Sequence, residues 1–497
     1  MTHDVVIAPV LPELILAGAA IVGLMYEALA GRSQNQGSQS QGSQSQGSQR
    51  LTHLMIGLVG IFAAAGATIP LWHWTGATSV MAGMVAVDRF SVVSRLLILS
   101  IAAMGLLFGF HYFSRSGDTE RGEFFPLIMF ATVGLTLITA AADLIVVFLA
   151  LEILSLSLYV LTGITGRRNS NEAAMKYFLL GAFSSAFFLY GVAMAYGATT
   201  STNIVAIANA LAGRTGSQPL ALLAFAFLAV GFGFKVSVVP FHMWTPDVYQ
   251  GAPTPITGFM SAATKAAAIL ALVRVLDVAF QALTVDWVPV IWVLAAASIV
   301  LGSVLAIAQT DIKRMLAYSS IAQAGFILTG LTAANSNGIR AAMFYLIAYA
   351  ATTVGAFGIV MLVSARGEEQ TSLTSYTGLY KRSPALAGLM AIFLLSLAGI
   401  PPTAGFIAKV NVFVAASGAG YWPLVLIGVV FSVVAAFFYL RVIVLMFMRD
   451  PEAAQQDEDR SLMPRLAIAI PAALTVGLGL FPGLITDFIS KASVLRW

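Results

Sequence analysis

The sequence predicts an all-α polytopic membrane protein with about fourteen transmembrane helices, and three observations lead to this prediction. Hydrophobic residues make up 59% of the 497 positions, whereas charged residues make up only 10%. A soluble domain carries about 25% charged residues, so this chain cannot form a water-facing surface. Apolar stretches of about 20 residues or more, long enough to cross a bilayer, recur throughout the chain. They cover 8–30, 51–74, 87–113, 124–141, 143–165, 172–199, 219–241, 254–280, 287–308, 312–331, 339–365, 384–414, 421–448 and 463–489.

The first three spans, within residues 1–123, enclose a segment of unusual composition. Residues 33–49 consist only of Ser, Gln, Gly and Asn, with GSQ repeating from Gly37. Such a segment has no apolar side chain to bury, so we expect a disordered cytoplasmic loop.

The basic residues between the spans predict the orientation of the chain. If the N-terminus lies outside, the outer ends carry only Arg89, Arg214, Arg340, Lys491 and Arg496. The inner loops then carry Arg32, Arg50, Arg115, Arg121, Arg167, Arg168, Lys313, Arg314, Arg366, Lys381, Arg382, Arg449, Arg460 and Arg465. Positive residues accumulate on the cytoplasmic side of membrane proteins, so both termini are expected outside.

The ten spans after the first three are expected to form two inverted five-helix repeats, over residues 124–283 and 284–449. The seventh span carries GFK at 233–235 and the twelfth carries GFIAK at 405–409. These spans lie five helices apart, and an odd number reverses the orientation of the second unit. Residues 450–497 then supply a last transmembrane helix.

Prolines predict that the seventh and twelfth spans are broken helices. Pro240 removes the backbone hydrogen bond to Val236, and Pro401-Pro402 free the carbonyls of Leu397 and Ala398. Paired interruptions at membrane depth are typical of transport sites. The alternative, a simple proline kink, leaves the lysine in each interrupted span unexplained. The 384–414 stretch could also form two re-entrant pieces.

Four charged residues lie deep within predicted spans: Glu152, Lys235, Lys265 and Lys409. Charges near the bilayer centre are costly and usually mark a pathway. The alternative is buried ion pairs that only join helices, but one acid cannot pair with three lysines. Burial favours the neutral amine, and a lysine that can lose its proton can relay it. We therefore predict a proton path through these residues.

Other charges lie nearer the ends of the spans, where long side chains can extend to the membrane surface. This is the expectation for Glu13, Glu27, Arg95, Lys176, Arg274 and Arg441. His242, after Pro240, either titrates on the proton path or is a hydrogen-bonded helix-end histidine.

The composition argues against metal and redox chemistry on this chain. Cysteine is absent, which excludes cysteine-ligated iron–sulfur clusters and zinc sites. The five histidines are scattered, with no pair at helical spacing, so no metal site is expected. No cofactor is expected on the chain, and the net charge of +4 reflects topology rather than affinity for nucleic acid.

Three segments resemble one family. FGFKVSVVPFHMWTPDVYQGAPTPITGFMSAATKAA, at 232–268, resembles the core signature of the antiporter-like subunits of respiratory complex I, and QTDIKRMLAYSSIAQAGF, at 309–326, resembles their second-repeat signature. NEAAMKYFLLGAFSSAFFLYG, at 171–191, resembles subunit N of bacterial NADH:quinone oxidoreductase, the counterpart of mitochondrial subunit 2. Lys409 stands where the related subunit M has a glutamate.

The resemblance implies a role for each deep charge. Glu152 resembles a fifth-helix glutamate that pairs with the lysine of the first broken helix, which Lys235 resembles. Lys265 resembles the central relay lysine, and Lys409 resembles the lysine on the exit side. The implied function is proton translocation in a bacterial inner membrane, driven by quinone reduction elsewhere. NADH, flavin, iron–sulfur clusters and quinone would be bound by other subunits, and the partners would be the membrane subunits of that complex and the lipid bilayer.

Two other functions fit the same signature. A stand-alone or Mrp-type cation/proton antiporter shares it, although a sodium site should offer several buried carboxylates and only Glu152 lies deep. A membrane scaffold that has lost transport is the third, but the intact lysine series argues against it.

Overall fold

The computed structural model describes residues 7–34, 42–76, 78–115, 122–213, 218–364, 369–451 and 461–495. For residues 30–34 and 42–47 only the backbone is described. Helices dominate these residues. The first α-helices are α1 Leu11–Gln34, α2 Gly42–Thr68, α3 Arg89–Arg115, α4 Phe124–Ala140, α5 Leu144–Gly163, α6 Arg168–Thr199, α7 Ile204–Ala212, α8 Pro219–Val236, α9 Trp244–Gly251 and α10 Thr254–Arg274. The remaining α-helices are α11 Thr284–Ile307, α12 Ile312–Leu331, α13 Ser336–Val363, α14 Leu379–Arg382, α15 Pro384–Ala398, α16 Ala404–Gly418, α17 Trp422–Met448, α18 Leu462–Leu480 and α19 Gly483–Ala492.

Short elements connect these helices. A two-stranded antiparallel hairpin, β1 Ser79–Val80 and β2 Val85–Ala86, lies between α2 and α3. The 3₁₀ turns are Ala8–Val10, Ile69–His73, Gln281–Leu283 and Leu373–Tyr376, and α10 continues into a π-helical turn, Val275–Ala279.

The helices confirm a polytopic all-α membrane protein. Among the described residues, 11 helices are long and apolar enough to cross a membrane, and α4, α15 and α16 are shorter apolar helices. Large apolar side chains such as Phe183 and Val433 lie exposed on the outside of the bundle, as lipid-facing residues do.

Residues 33–49 were expected to form a disordered loop, but most of them lie in helices. α1 extends to Gln34 and α2 begins at Gly42, so only 35–41 lie outside the described residues. Glutamine and serine are tolerated in a helix, and adding residues to an existing helix costs much less than starting one. The apolar span after Arg50 therefore extends backward into the polar repeat. The acidic residues 452–459 also lie outside the described residues.

Two pairs of half-helices are separated by short non-helical segments. α8 ends at Val236 with Ser237 in the left-handed conformation, and the chain resumes as α9 after Pro240. α15 ends at Gly399, which has φ +83°, and α16 begins at Ala404 after Pro401-Pro402. The peptide bonds Val239-Pro240 and Pro401-Pro402 are cis.

Helix α10 lies at the centre of the bundle. Every residue from Thr254 to Arg274 is buried, and the helix packs against α3, α4, α8 and α13. Its lysine is therefore shielded on all sides by protein.

Two arginines expected to extend to the membrane surface are instead fully buried in ion pairs. Arg95 on α3 contacts Glu13 of α1 through two hydrogen bonds of 2.8 and 3.1 Å. Arg274, at the end of α10, contacts Asp88 through two bonds of 2.8 and 3.0 Å. An arginine fork satisfied by a carboxylate has no need to reach water.

Candidate functional site

Lys235 lies in the last turn of α8, beside the first helix break. Its side chain is 3% exposed, and its Nζ donates a hydrogen bond of 2.6 Å to Ser155 Oγ on α5. The ring centres of Tyr159, Tyr177 and Phe234 lie 5.7, 5.4 and 5.6 Å from Nζ. A neutral hydroxyl and three aromatic rings therefore surround this amine.

Glu152 lies one turn before Ser155 on α5 and is half-buried. Its carboxylate accepts a hydrogen bond from the Ser185 hydroxyl of α6. The resemblance implied a Glu152–Lys235 pair, but these two described residues form no ion pair within 4.0 Å. Ser155, one turn later on α5, accepts the hydrogen bond from Lys235 Nζ instead.

Lys265 lies in the middle of α10 and is 1% exposed. Its Nζ donates to both the carbonyl and the hydroxyl of Ser320 on α12, the latter at 2.6 Å. Tyr349 of α13 donates to the same hydroxyl at 2.9 Å, and its ring centre lies 5.5 Å from the amine.

Lys409 lies in the second turn of α16, is 4% exposed, and reaches back across the second break. Its Nζ donates a bond of 2.9 Å to the Ala398 carbonyl and lies 4.5 Å from the ring centre of Phe326. Gln323 of α12 donates a bond of 2.9 Å to the Leu397 carbonyl. The two carbonyls expected to be freed by the prolines thus accept from buried polar side chains.

Helix α12 links the surroundings of Lys265 and Lys409 through side chains that the sequence analysis missed. Ser319 shares a hydrogen bond of 2.5 Å with Tyr439 of α17. Gln323 donates to that tyrosine at 3.2 Å and accepts from Tyr345 of α13. The signal was present in AYSSIAQAGF, where polar side chains at i and i+4 share one helix face.

His242 lies in the segment between α8 and α9 and is half-buried. It contributes no hydrogen bond or ion pair to Lys235, Lys265 or Lys409. Its Nδ1 is buried without a hydrogen-bond partner among the described residues, and its place on the proton path stays a prediction.

A polar crevice of about 700 Å³ opens at the end of the bundle beside α6, α9 and α12. Asp247 of α9 lies between Lys176 of α6, at 2.7 Å, and Arg314 of α12, at 2.6 Å. Glu369, also at the crevice, accepts from Lys313 at 2.7 Å and from the Thr254 backbone N–H at 2.8 Å. Burial alone would raise the pKa of Glu369, but these cationic and N–H donors hold the pKa below its usual value.

The described residues contain no group of three or more His, Asp or Glu side chains that could hold a metal ion, and the sequence has no cysteine. Lys235, Lys265 and Lys409 are each hydrogen bonded to neutral acceptors, so each can hold a proton and release it without leaving a carboxylate unpaired.

Comparisons with known proteins identify the family of the chain. Residues 141–435 match the sequence profile of the family described as NADH:quinone oxidoreductase/Mrp antiporter, transmembrane. The chain is 44% identical to NADH-quinone oxidoreductase subunit N of Rhodococcus opacus, covering 97% of this chain and 95% of that one. It is 43% identical to the subunit N of Mycobacterium tuberculosis, covering 97% of both chains.

Solved structures have the same fold. A chain of respiratory complex I from Thermus thermophilus is 34% identical, with a TM-score of 0.79 over 97% of this chain and 99% of that chain. A chain of the Mrp complex from Dietzia has a TM-score of 0.81 over 97% of both chains, but only 22% identity, so it speaks for the fold alone.

Proposed function

This chain belongs to the subunit N family of NADH-quinone oxidoreductase, and from that premise we propose that its buried lysines relay protons across the membrane. It is the proton-translocating membrane subunit of a larger enzyme, and its partners are the other membrane subunits of that complex. NADH, flavin, iron–sulfur clusters and quinone belong to other subunits. The three lysines, each held by neutral acceptors within the membrane, carry the proposal.

The relay runs through Lys235, Lys265 and Lys409, with water between them. When Glu152 approaches Lys235, the carboxylate stabilises the ammonium and the proton stays. When the pair is open, as in this structure, Lys235 has only Ser155 as a hydrogen-bond partner among the described residues, and its proton can move toward Lys265. The polar side chains of α12 then support transfer from Lys265 to Lys409.

The electrical work of moving one proton across the membrane is similar in size to the free energy of one hydrogen bond to a charged group. Moving one charge against 100 mV costs about 2.3 kcal/mol. A hydrogen bond to a charged group contributes about 1.5–3 kcal/mol. Making or breaking one charged contact per step is therefore sufficient to drive or block a proton.

We propose that the chain crosses the membrane about fourteen times, with each broken helix counting as one span. The boundaries 124–283 and 284–449 for two inverted repeats are supported by matching backbone bridges. Asp143 caps α5 and pairs with Asn203, which follows α6; Asp311 caps α12 and pairs with Ser372, which follows α13. Residues 1–123 and 450–497 would flank these repeats.

The proposed location is the bacterial inner membrane, with both termini on the periplasmic side. The basic residues around the crevice, including Arg167 and Arg168, support a cytoplasmic position for that end. A tag inserted within 34–48 should be accessible only after the cells are opened. Labelling of that tag from outside intact cells would reverse the orientation.

The function is tested in the intact complex in proteoliposomes, by measuring proton uptake driven by NADH and quinone. Lys235→Ala and Lys409→Ala should lower NADH-driven proton uptake while the complex stays assembled. Unchanged proton uptake in both variants would contradict the relay. Sodium transport that survives a protonophore would instead favour the Mrp-type cation/proton antiporter.

A further inference from the structure

Two tyrosines beside Lys235 have buried hydroxyls without a hydrogen-bond partner among the described residues. They are Tyr159 of α5 and Tyr177 of α6. Leaving a buried hydroxyl unsatisfied costs about 1–3 kcal/mol. Buried water commonly satisfies such groups, so two orphan hydroxyls in one place mark a site for ordered water.

The two tyrosines form part of the wall around the amine. Their ring centres lie 4.8 Å apart at an angle of 87°, and both rings lie within 6 Å of Lys235 Nζ. An ammonium has three N–H donors, and Ser155 accepts one of them. The remaining donors need acceptors, which water bonded to the tyrosine hydroxyls would supply.

Tyr177 also lies close to the polar crevice in the chain. Lys176 of α6 and Asp247 of α9 line the crevice. Tyr177 follows Lys176 directly, and it stacks at 4.6 Å on Trp244, one turn before Asp247. The Tyr177 and Trp244 rings, which also contact Phe234, therefore lie within one turn of crevice residues on α6 and α9 and beside Lys235.

We propose that the hydroxyls of Tyr177 and Tyr159 hold the water through which Lys235 exchanges its proton with the crevice. This inference rests on the proposed relay function. When Lys235 is a neutral amine, a hydrated proton from the aqueous phase enters at the crevice, and each bonded hydroxyl passes its hydrogen on while receiving another, leaving neutral water behind. Lys235 becomes an ammonium, and both phenols end neutral as they began.

The alternative is that the rings only pack against Lys235 and Trp244. Phenylalanine separates the two explanations because it keeps the ring and removes only the hydroxyl. Since neither hydroxyl has a protein partner, packing alone predicts that Tyr→Phe is neutral or stabilising. Tyr376 is a matched control, because its hydroxyl is also buried without a partner but lies in the 3₁₀ turn Leu373–Tyr376, away from the lysines.

The experiment uses the assembled complex in proteoliposomes. Tyr159→Phe, Tyr177→Phe and the double variant are compared with Tyr376→Phe and Lys235→Ala. Proton uptake is measured in H₂O and in D₂O. We expect the double variant to lose about a hundredfold in proton uptake, at the low end of what a proton-transfer group contributes. We also expect its solvent isotope effect to increase, with Tyr376→Phe unchanged in both.

Each outcome bears on one of the two proposals. If Lys235→Ala fails to pump and the double variant pumps normally with an unchanged isotope effect, the relay stands and the tyrosine inference is overturned. Normal pumping by Lys235→Ala overturns the relay itself. Loss of assembly in a phenylalanine variant also counts against the inference, because it would give the hydroxyl a structural role.

Discussion

The Lys409 ammonium donates a hydrogen bond of 2.9 Å to the carbonyl of Ala398 across the break between α15 and α16. At the same end of α15, the carbonyl of Leu397 has no partner within the helix and accepts a hydrogen bond from Gln323. The broken helix therefore supplies its own acceptors. A cation at the C-terminal end of a helix is also stabilised by the helix dipole. Lys409 can be protonated inside the membrane without a carboxylate beside it.

We expect the hydrogen bonds of Gln323 to stabilise the packing of α12 against α13, α15 and α17. Gln323→Met keeps the size of the side chain but strands the Leu397 carbonyl and the Tyr345 hydroxyl, whereas Tyr439 keeps its hydrogen bond to Ser319. Each stranded group costs about 1–3 kcal/mol, so a clear fall in the thermal stability of the purified complex is expected. Gln309→Met is the control, because Gln309 donates only to Leu305 at an exposed site. Equal stability of the two variants would contradict this role.

The Glu13–Arg95 pair should hold α1 against α3. Removing one partner of a buried ion pair leaves a buried charge and costs about 3–5 kcal/mol, whereas replacing both partners can be neutral. Arg95→Met alone should therefore lower the thermal stability more than the double variant Glu13→Leu with Arg95→Met. If the double variant is the less stable of the two, the pair itself provides the stability.

The lowered pKa of Glu369 predicts that the thermal stability of the protein depends on pH. Its folded-state pKa lies below the usual value of 4.5, so its contribution is complete above that value and disappears as the pH falls through the lower folded-state pKa. Wild type should exceed Glu369→Gln in melting temperature near neutral pH, and the gap should close on acidification. Asp450→Asn is the control, since Asp450 pairs with Lys381 at an exposed surface and should change little at any pH.

The sequence was sufficient to identify the membrane fold and the deep charges, because a charged residue in an apolar run is conspicuous without any structure. It could not identify the acceptors. Ser155 and Ser320 look like ordinary helix serines, and only the packing of separate helices brings them to Lys235 and Lys265. Arg95 was wrongly expected to extend to the membrane surface, because its partner Glu13 lies 82 residues earlier in the chain.

The last prediction separates a proton-carrying lysine from a structural one. Lys265→Ala should leave the complex assembled but impair proton uptake and, through tight coupling, quinone reduction. Lys265→Arg should restore little, because arginine stays protonated in proteins and cannot release a proton. Lys313 is the matched control: it is also buried, but it pairs with Glu369 at 2.7 Å. Lys313→Ala should strand that carboxylate and lower the complex content, and Lys313→Arg should largely restore it. Complex content and NADH-driven proton uptake are measured for all four variants. If arginine at 265 restores what alanine loses, or if both Lys265 variants pump normally, Lys265 carries no proton, and transfer between Lys235 and Lys409 must proceed through water alone.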